Sequence, residues 1–134
     1  MKTTLVTFLL SAFCHAHAAE PEIDFIAARV NGAIIRFSAL RAESEPYTPA
    51  LREKFRGKEL VDAIIAKKKA VLEQMIDRTL LLQELTRRGI PLENAVTDEK
   101  IDAAIKERFH SDRQQWLKRL KPKAVIEKHF FEHR

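Results

Sequence analysis

From Lys58 to Arg88 neither proline nor glycine interrupts a helical pattern, and no other stretch constrains the fold as much. On a wheel of about 100° per residue, Leu60, Ile64, Val71, Met75, Leu82 and Leu85 fall on one side. Ile65, Leu72, Ile76 and Leu80 widen that side to roughly half the circumference. So broad a stripe needs more than one neighbour, and this helix is expected to be the backbone of the fold. Leu81 is the exception, falling among Gln74, Asp77 and Glu84 on the polar side. Gly89 suits a left-handed cap at the end.

Shorter elements surround this run. Phe25 to Val30 and Ala33 to Phe37 read as two strands, and Asn31-Gly32 between them suits a type I′ turn. A two-stranded hairpin is not stable alone in water, so this one needs a partner. Ser38 is placed to cap a short helix through Leu40, and Glu45-Pro-Tyr-Thr-Pro49 breaks it. Thr48 then caps and Pro49 opens another helical piece. Beyond a loop over Pro91 to Ala95, Thr97 caps a helix whose Ile101, Ile105 and Phe109 form one stripe. Ser111 with Gln114 reads as a capping box for a helix burying Trp116, Leu117 and Leu120. After Pro122, a final helix from Lys123 to Glu132 is expected, with Ile126 and Phe130 on one face.

The first eighteen residues read as a cleaved export signal. Lys2 supplies the positive start, Leu5 to Phe13 the apolar run, and Ala16-His17-Ala18 the small-x-small cleavage pattern. The run is too short to span a bilayer. A lipoprotein reading of Cys14 meets bulky Phe13 where a small residue is required. Cleavage after Ala18 leaves residues 19–134 as a single domain without cysteine, so without disulfides, in an exported or periplasmic location. The net charge of +5 is mild and both signs interleave. The dense basic groups, Lys67-Lys-Lys69 and Lys118, Arg119, Lys121 and Lys123, read as solvated helix faces, with no nucleic-acid partner expected.

No catalytic constellation stands out. Ser38, Ser44 and Ser111 sit at turns or caps, outside any nucleophile motif. His129 and His133, four apart on the expected last helix, would let both rings face one metal, but no third ligand is evident. Surface histidines are the simpler reading. Neither cofactor nor metal is expected.

Val30-Asn-Gly-Ala-Ile-Ile-Arg-Phe-Ser-Ala-Leu40 resembles the opening of the SurA-type and PrsA-type exported chaperones, the parvulin-associated foldases; Val30, Asn31, Gly32, Ile35, Ser38 and Leu40 match. Leu72 to Ile90 is similar to the family's long helix, and Val96 to Asp102 to the start of its next one. The resemblance covers residues 27–102 and implies a mainly α fold. Its parts are one long central helix, several shorter helices and a small N-terminal β-hairpin. It also implies an ATP-independent module that binds unfolded or extended polypeptide through apolar helix surfaces. Leu72, Met75, Ile76, Leu81 and Phe130 are the candidate peptide contacts; Asn31, Gly32, Ser38 and Gly89 are the structural turn and caps.

Two departures from the family follow. Residues 123–134 are too few for the parvulin isomerase domain that usually comes next, so isomerase activity is not expected. In the family the chain also returns after that domain and docks on the hairpin, whereas here such a return is expected to be missing. An open hairpin edge together with Leu81 on a polar face then favours a homodimer. The alternative to a chaperone is an assembly subunit that binds one fixed partner or self-associates through that edge.

Overall fold

Strand β1 (Ile26–Val30) turns at Asn31 and Gly32 into β2 (Ala33–Arg36). Both turn residues have positive φ, 49° and 86°, which a type I′ turn demands and which asparagine and glycine tolerate best. Val30 faces Ala33, Arg29 faces Ile34 and Ala28 faces Ile35, with a bulge before the Ile26–Arg36 pair. Ala28, Val30 and Ile35 are buried, while Ile34 and Arg36 are exposed. The computed structural model describes residues 24–90, 92 and 96–129. The expected export signal and Phe130 lie outside the described residues.

Helix α1 (Phe37–Ser44) follows β2 directly, and a 3-10 turn at Glu45–Tyr47 leads into α2 (Thr48–Lys54). Ser38 is not the cap of α1, because the helix begins one residue earlier. Asp24 takes that role from outside the helix, accepting from the Ser38 amide at 3.0 Å and the Ser38 hydroxyl at 2.6 Å. The hydroxyl bond leads the influences that hold the Asp24 carboxyl below its ordinary range.

The long helix α3 spans Gly57–Arg87. Gly89 ends it at φ 80°, with the Ile90 amide on the Leu85 carbonyl at 2.9 Å and the Gly89 amide on Thr86 at 3.0 Å. That is the Schellman pair of bonds, with Ile90 packed beside the apolar cluster that holds Leu85. Helix α4 (Asp98–Phe109) starts after Thr97, as expected. Helix α5 (Arg113–Leu120) starts one residue later than a Ser111 capping box requires. Asp112 caps it instead, accepting the Gln115 amide at 2.9 Å.

The chain end overturns two expectations. No helix forms over residues 123–129: a 3-10 turn at Lys121–Lys123 gives way to strand β3 (Ile126–Lys128). β3 pairs antiparallel with β1, placing Ile126 on Val30, Glu127 on Arg29 and Lys128 on Ala28. The His129 amide extends the ladder to the Ala27 carbonyl at 2.9 Å. The return to the hairpin is therefore present, supplied by the chain itself, and the strand order is β2-β1-β3. Two features favour the strand. Val125 and Ile126 are β-branched, and β1 would otherwise leave backbone donors and acceptors without ladder partners. The turn residue Asn31 secures the junction, donating its amide to the Val125 carbonyl at 2.8 Å and accepting the Val125 amide on Oδ1 at 2.9 Å.

Leu81 is fully buried, not exposed on a polar face. Helix α3 passes between two apolar clusters and changes its buried side on the way. One cluster holds Val71, Leu72, Met75, Ile76 and Leu80 against the sheet and Leu40. The other holds Leu81 and Leu85 against Ile101, Ile105, Trp116 and Leu117 of α4 and α5. A wheel averaged over the whole helix merges these two directions. Of the grounds for expecting a homodimer, the exposed Leu81 is removed, and β3 covers the β1 side of the hairpin while β2 stays an outer strand. Upstream of Val71 nothing on α3 is buried, and Val61 and Ile65 are exposed. Among the described residues no helix is long and apolar enough to cross a membrane.

Leu81→Ala is expected to lower the unfolding free energy by about 2–5 kcal/mol in urea denaturation. A leucine scattered on the surface would shift the midpoint hardly at all. Asn31→Ala, which removes the side-chain bonds to Val125 and Gln83 but keeps the backbone bond to Val125, should cost about 1–2 kcal/mol in the same measurement.

Candidate functional site

A continuous run of ion pairs fixes the C-terminal helices on α3. Arg78 donates from Nη1 to Glu43 of α1 at 2.8 Å, and from Nε and Nη2 to the two Asp98 oxygens at 3.2 and 3.3 Å. Asp98, at the start of α4, also receives Arg113 of α5 at 3.0 Å, and Arg113 Nε reaches Asp102 at 2.7 Å. Burial opposes ionisation of Asp98, but hydrogen bonds from Arg78 and Arg113 outweigh it and hold its pKa below the usual carboxylate range. The hydrogen bond to Asp98 in turn raises Arg78.

Farther along α3, Glu84 is 9% exposed. Arg87 meets both of its oxygens at 2.7 Å, and Arg88 Nε donates to Oε1 at 2.6 Å. The Arg87 bonds lead; with help from Arg88 they overcome desolvation and bring Glu84 down to about 2. The Arg88 guanidinium also lies 5.0 Å from the ring centres of Phe109 and Trp116, which are 4.9 Å apart. Cation and rings attract in this geometry, so Arg88 covers the cluster around Leu81 as well as pairing Glu84.

Two grooves flank the C-terminal half of α3, and Gln83 and Arg87 line both. The first, about 620 Å³, runs beside Ala33 and Ile35 of β2 over Met75, Thr79 and Leu82 of α3, with Leu92 also lining it. The Glu43–Arg78 pair is its main polar feature. The second, about 560 Å³, lies between α3, α5 and the Lys121–Lys123 turn. The half-buried Leu120 gives it apolar surface above the core side chains Leu80 and Trp116, while Arg119 and Lys123 add charge to that of Arg87 and Arg88. Gln83 joins the two grooves to the hairpin, donating to the Val30 carbonyl at 2.9 Å and accepting Asn31 Nδ2 at 2.9 Å.

Beside the first groove, β2 is an outer strand of the sheet. Across a two-residue turn, Val30 and Ala33 exchange the ladder bonds, so the next pair, Arg29 and Ile34, turns its backbone groups outward. Among the described residues no strand pairs with the outer side of β2, and Ile34 offers an amide and a carbonyl there. The other outer strand, β3, has its Lys128 tied to Glu73 of α3.

A family model described as the SurA-like N-terminal domain matches residues 2–133. The chain belongs to that family. No curated protein and no solved structure matches the chain. Membership relates this SurA-like domain to chaperones, in a family that is typically exported.

Within the SurA-like domain, the candidate peptide contacts Leu72, Met75, Ile76 and Leu81 are all core side chains. Only Met75 among them, at 8% exposure, borders a groove. Phe130 and His133 lie outside the described residues. His129 follows a strand, and its Nε2 is 3.6 Å from Glu127. Among the described residues no group of three or more histidine, cysteine or acidic side chains is placed to hold a metal. Ser44 donates to the Arg41 carbonyl and Ser111 to Gln115, each a local bond. The basic group near the C-terminus divides: Lys121 pairs with Asp77 at 2.7 Å, whereas Arg119 and Lys123 line the second groove. Leu82, Gln83 and Arg87 were not singled out by sequence; the helical wheel marks Leu82 as apolar, but nothing local marks the other two.

Because the Glu84 pKa falls from 4.5 to about 2 on folding, its contribution to stability is complete above about pH 4.5 and lost as pH drops toward 2. Solvent screening at the exposed Arg87 limits the gain, and Glu84→Gln should cost about 1–2 kcal/mol at neutral pH. The cost should vanish near pH 2. Urea denaturation of both proteins at the two pH values reads the difference.

Proposed function

We propose that this SurA-like domain is an exported, ATP-independent chaperone-like module that holds extended polypeptide by adding it to the free edge of β2. The outward amide and carbonyl of Ile34 beside an apolar groove carry the reading. An incoming strand would exchange main-chain bonds with β2, and its alternate side chains would enter the groove over Met75 and Leu82. Main-chain bonding is indifferent to sequence, and methionine and leucine adapt to varied shapes, so the site suits many clients. No step of this reading moves a covalent bond or isomerises a proline.

The assembly-subunit reading draws on a different surface, the exposed Val61 and Ile65 one turn apart on the first half of α3. Light scattering of a chemically denatured, unrelated client separates the two. The module should suppress aggregation at stoichiometric concentration, whereas a subunit with one fixed partner should not. Ile34→Pro removes the outward amide without touching the Val30–Ala33 bonds, and should abolish suppression while circular dichroism shows the fold retained. Suppression by a folded Ile34→Pro protein would overturn the β2 assignment. In a peptide cis–trans assay the purified protein should leave the uncatalysed rate unchanged.

A further inference from the structure

The second groove differs from the first in charge. Arg87, Arg88, Arg119 and Lys123 line it, and Glu84 is the one carboxylate among them. Glu84 is spent on Arg87 and Arg88. Arg119 makes only a long bond, 3.4 Å, to the Gln115 carbonyl, and Lys123 has no carboxylate partner among the described residues. Both side chains belong to exposed residues. At Arg119 and Lys123, therefore, positive charge without a carboxylate partner among the described residues stands beside the half-buried Leu120.

We propose that this groove is a subsite for an acidic stretch of bound polypeptide, its carboxylates meeting Arg119 and Lys123 while an apolar side chain rests on Leu120. The inference rests on the polypeptide-binding reading above and names the sequence pattern that reading would favour. Since Gln83 and Arg87 line both grooves, a strand on β2 that continues past the Asn31–Gly32 turn enters this one. The selected pattern is an apolar extended run followed by aspartate or glutamate.

Other anions fit less well. A volume of about 560 Å³ far exceeds what a free phosphate fills. A membrane surface is broad, whereas these cations border a concavity. Nucleic acid would want an open aromatic face for base stacking, but Trp116 is 2% exposed and carries Arg88 at 5.0 Å.

Fluorescence anisotropy with three labelled peptides of equal length tests the proposal. Each has the same apolar run, followed by four acidic residues, their amide counterparts, or lysines. The acidic peptide should bind about tenfold tighter than the amide peptide at low salt, and the advantage should shrink as salt is raised. Arg119→Glu with Lys123→Glu should abolish or reverse that advantage without altering the thermal melt. Equal affinity for all three peptides would overturn the inference. So would an acidic advantage that survives charge reversal, or binding to anionic vesicles or single-stranded DNA with none to the acidic peptide. The amide peptide reports the β2 edge by itself: binding of that peptide with no acidic preference sinks the charged subsite alone. Failure of every peptide sinks both readings.

Discussion

The side chain of Asn31 is the junction on which the hairpin, the last strand and the long helix meet. Its backbone adopts the positive φ of the turn, its Oδ1 accepts Val125, and its Nδ2 reaches Gln83 of α3. Few residue types satisfy all three demands. Glycine would take the turn geometry but has no side chain to pair, and serine or threonine is too short to reach two elements at once. Gln83 closes the arrangement by donating to the carbonyl of Val30, so the two amide side chains fix the register of the sheet relative to α3. Both grooves depend on that register, because Gln83 lines each of them.

The charged chemistry does two kinds of work. Individually, exposed ion pairs contribute little. The Glu43–Arg78–Asp98–Arg113–Asp102 series acts as positioning: each arginine bridges helices, so α4 and α5 sit where Ile101, Ile105, Trp116 and Leu117 meet Leu81 and Leu85. Glu84 with Arg87 and Arg88 instead keeps a buried carboxylate ionised beside an apolar cluster. Among the described residues no carboxylate pairs with Arg119 or Lys123.

Features encoded by neighbouring residues were legible in the sequence. Asn31-Gly32, the unbroken helical run of α3, the cap at Gly89 and the stripe of Ile101, Ile105 and Phe109 each rest on local geometry, and the family followed from their order. Readings that depended on distant partners went wrong. Residues 123–129 carry Val125 and Ile126, which serve a helix or a strand, and the edge of β1 decides between them. Ser38 looked like a cap because the carboxylate that fills the role, Asp24, lies fourteen positions away. Leu81 looked exposed because a wheel assumes one buried direction along the helix. The grooves were the least legible part: Arg119 and Lys123 stand out by where tertiary placement sets them, lining a groove with Leu120 and away from the described carboxylates.

The central strand is the earliest described element of the chain, and one of its two partners is the last. Ala28 lies opposite Lys128, so completing the sheet requires closing a loop that holds most of the molecule. The hairpin and α3 are local structures that can form beforehand. Until residues 125–129 arrive, β1 offers the same kind of open edge that β2 offers afterwards. When they do arrive, the sheet's two edges become the outer sides of β2 and β3, and β1 is enclosed between strands drawn from opposite ends of the described chain.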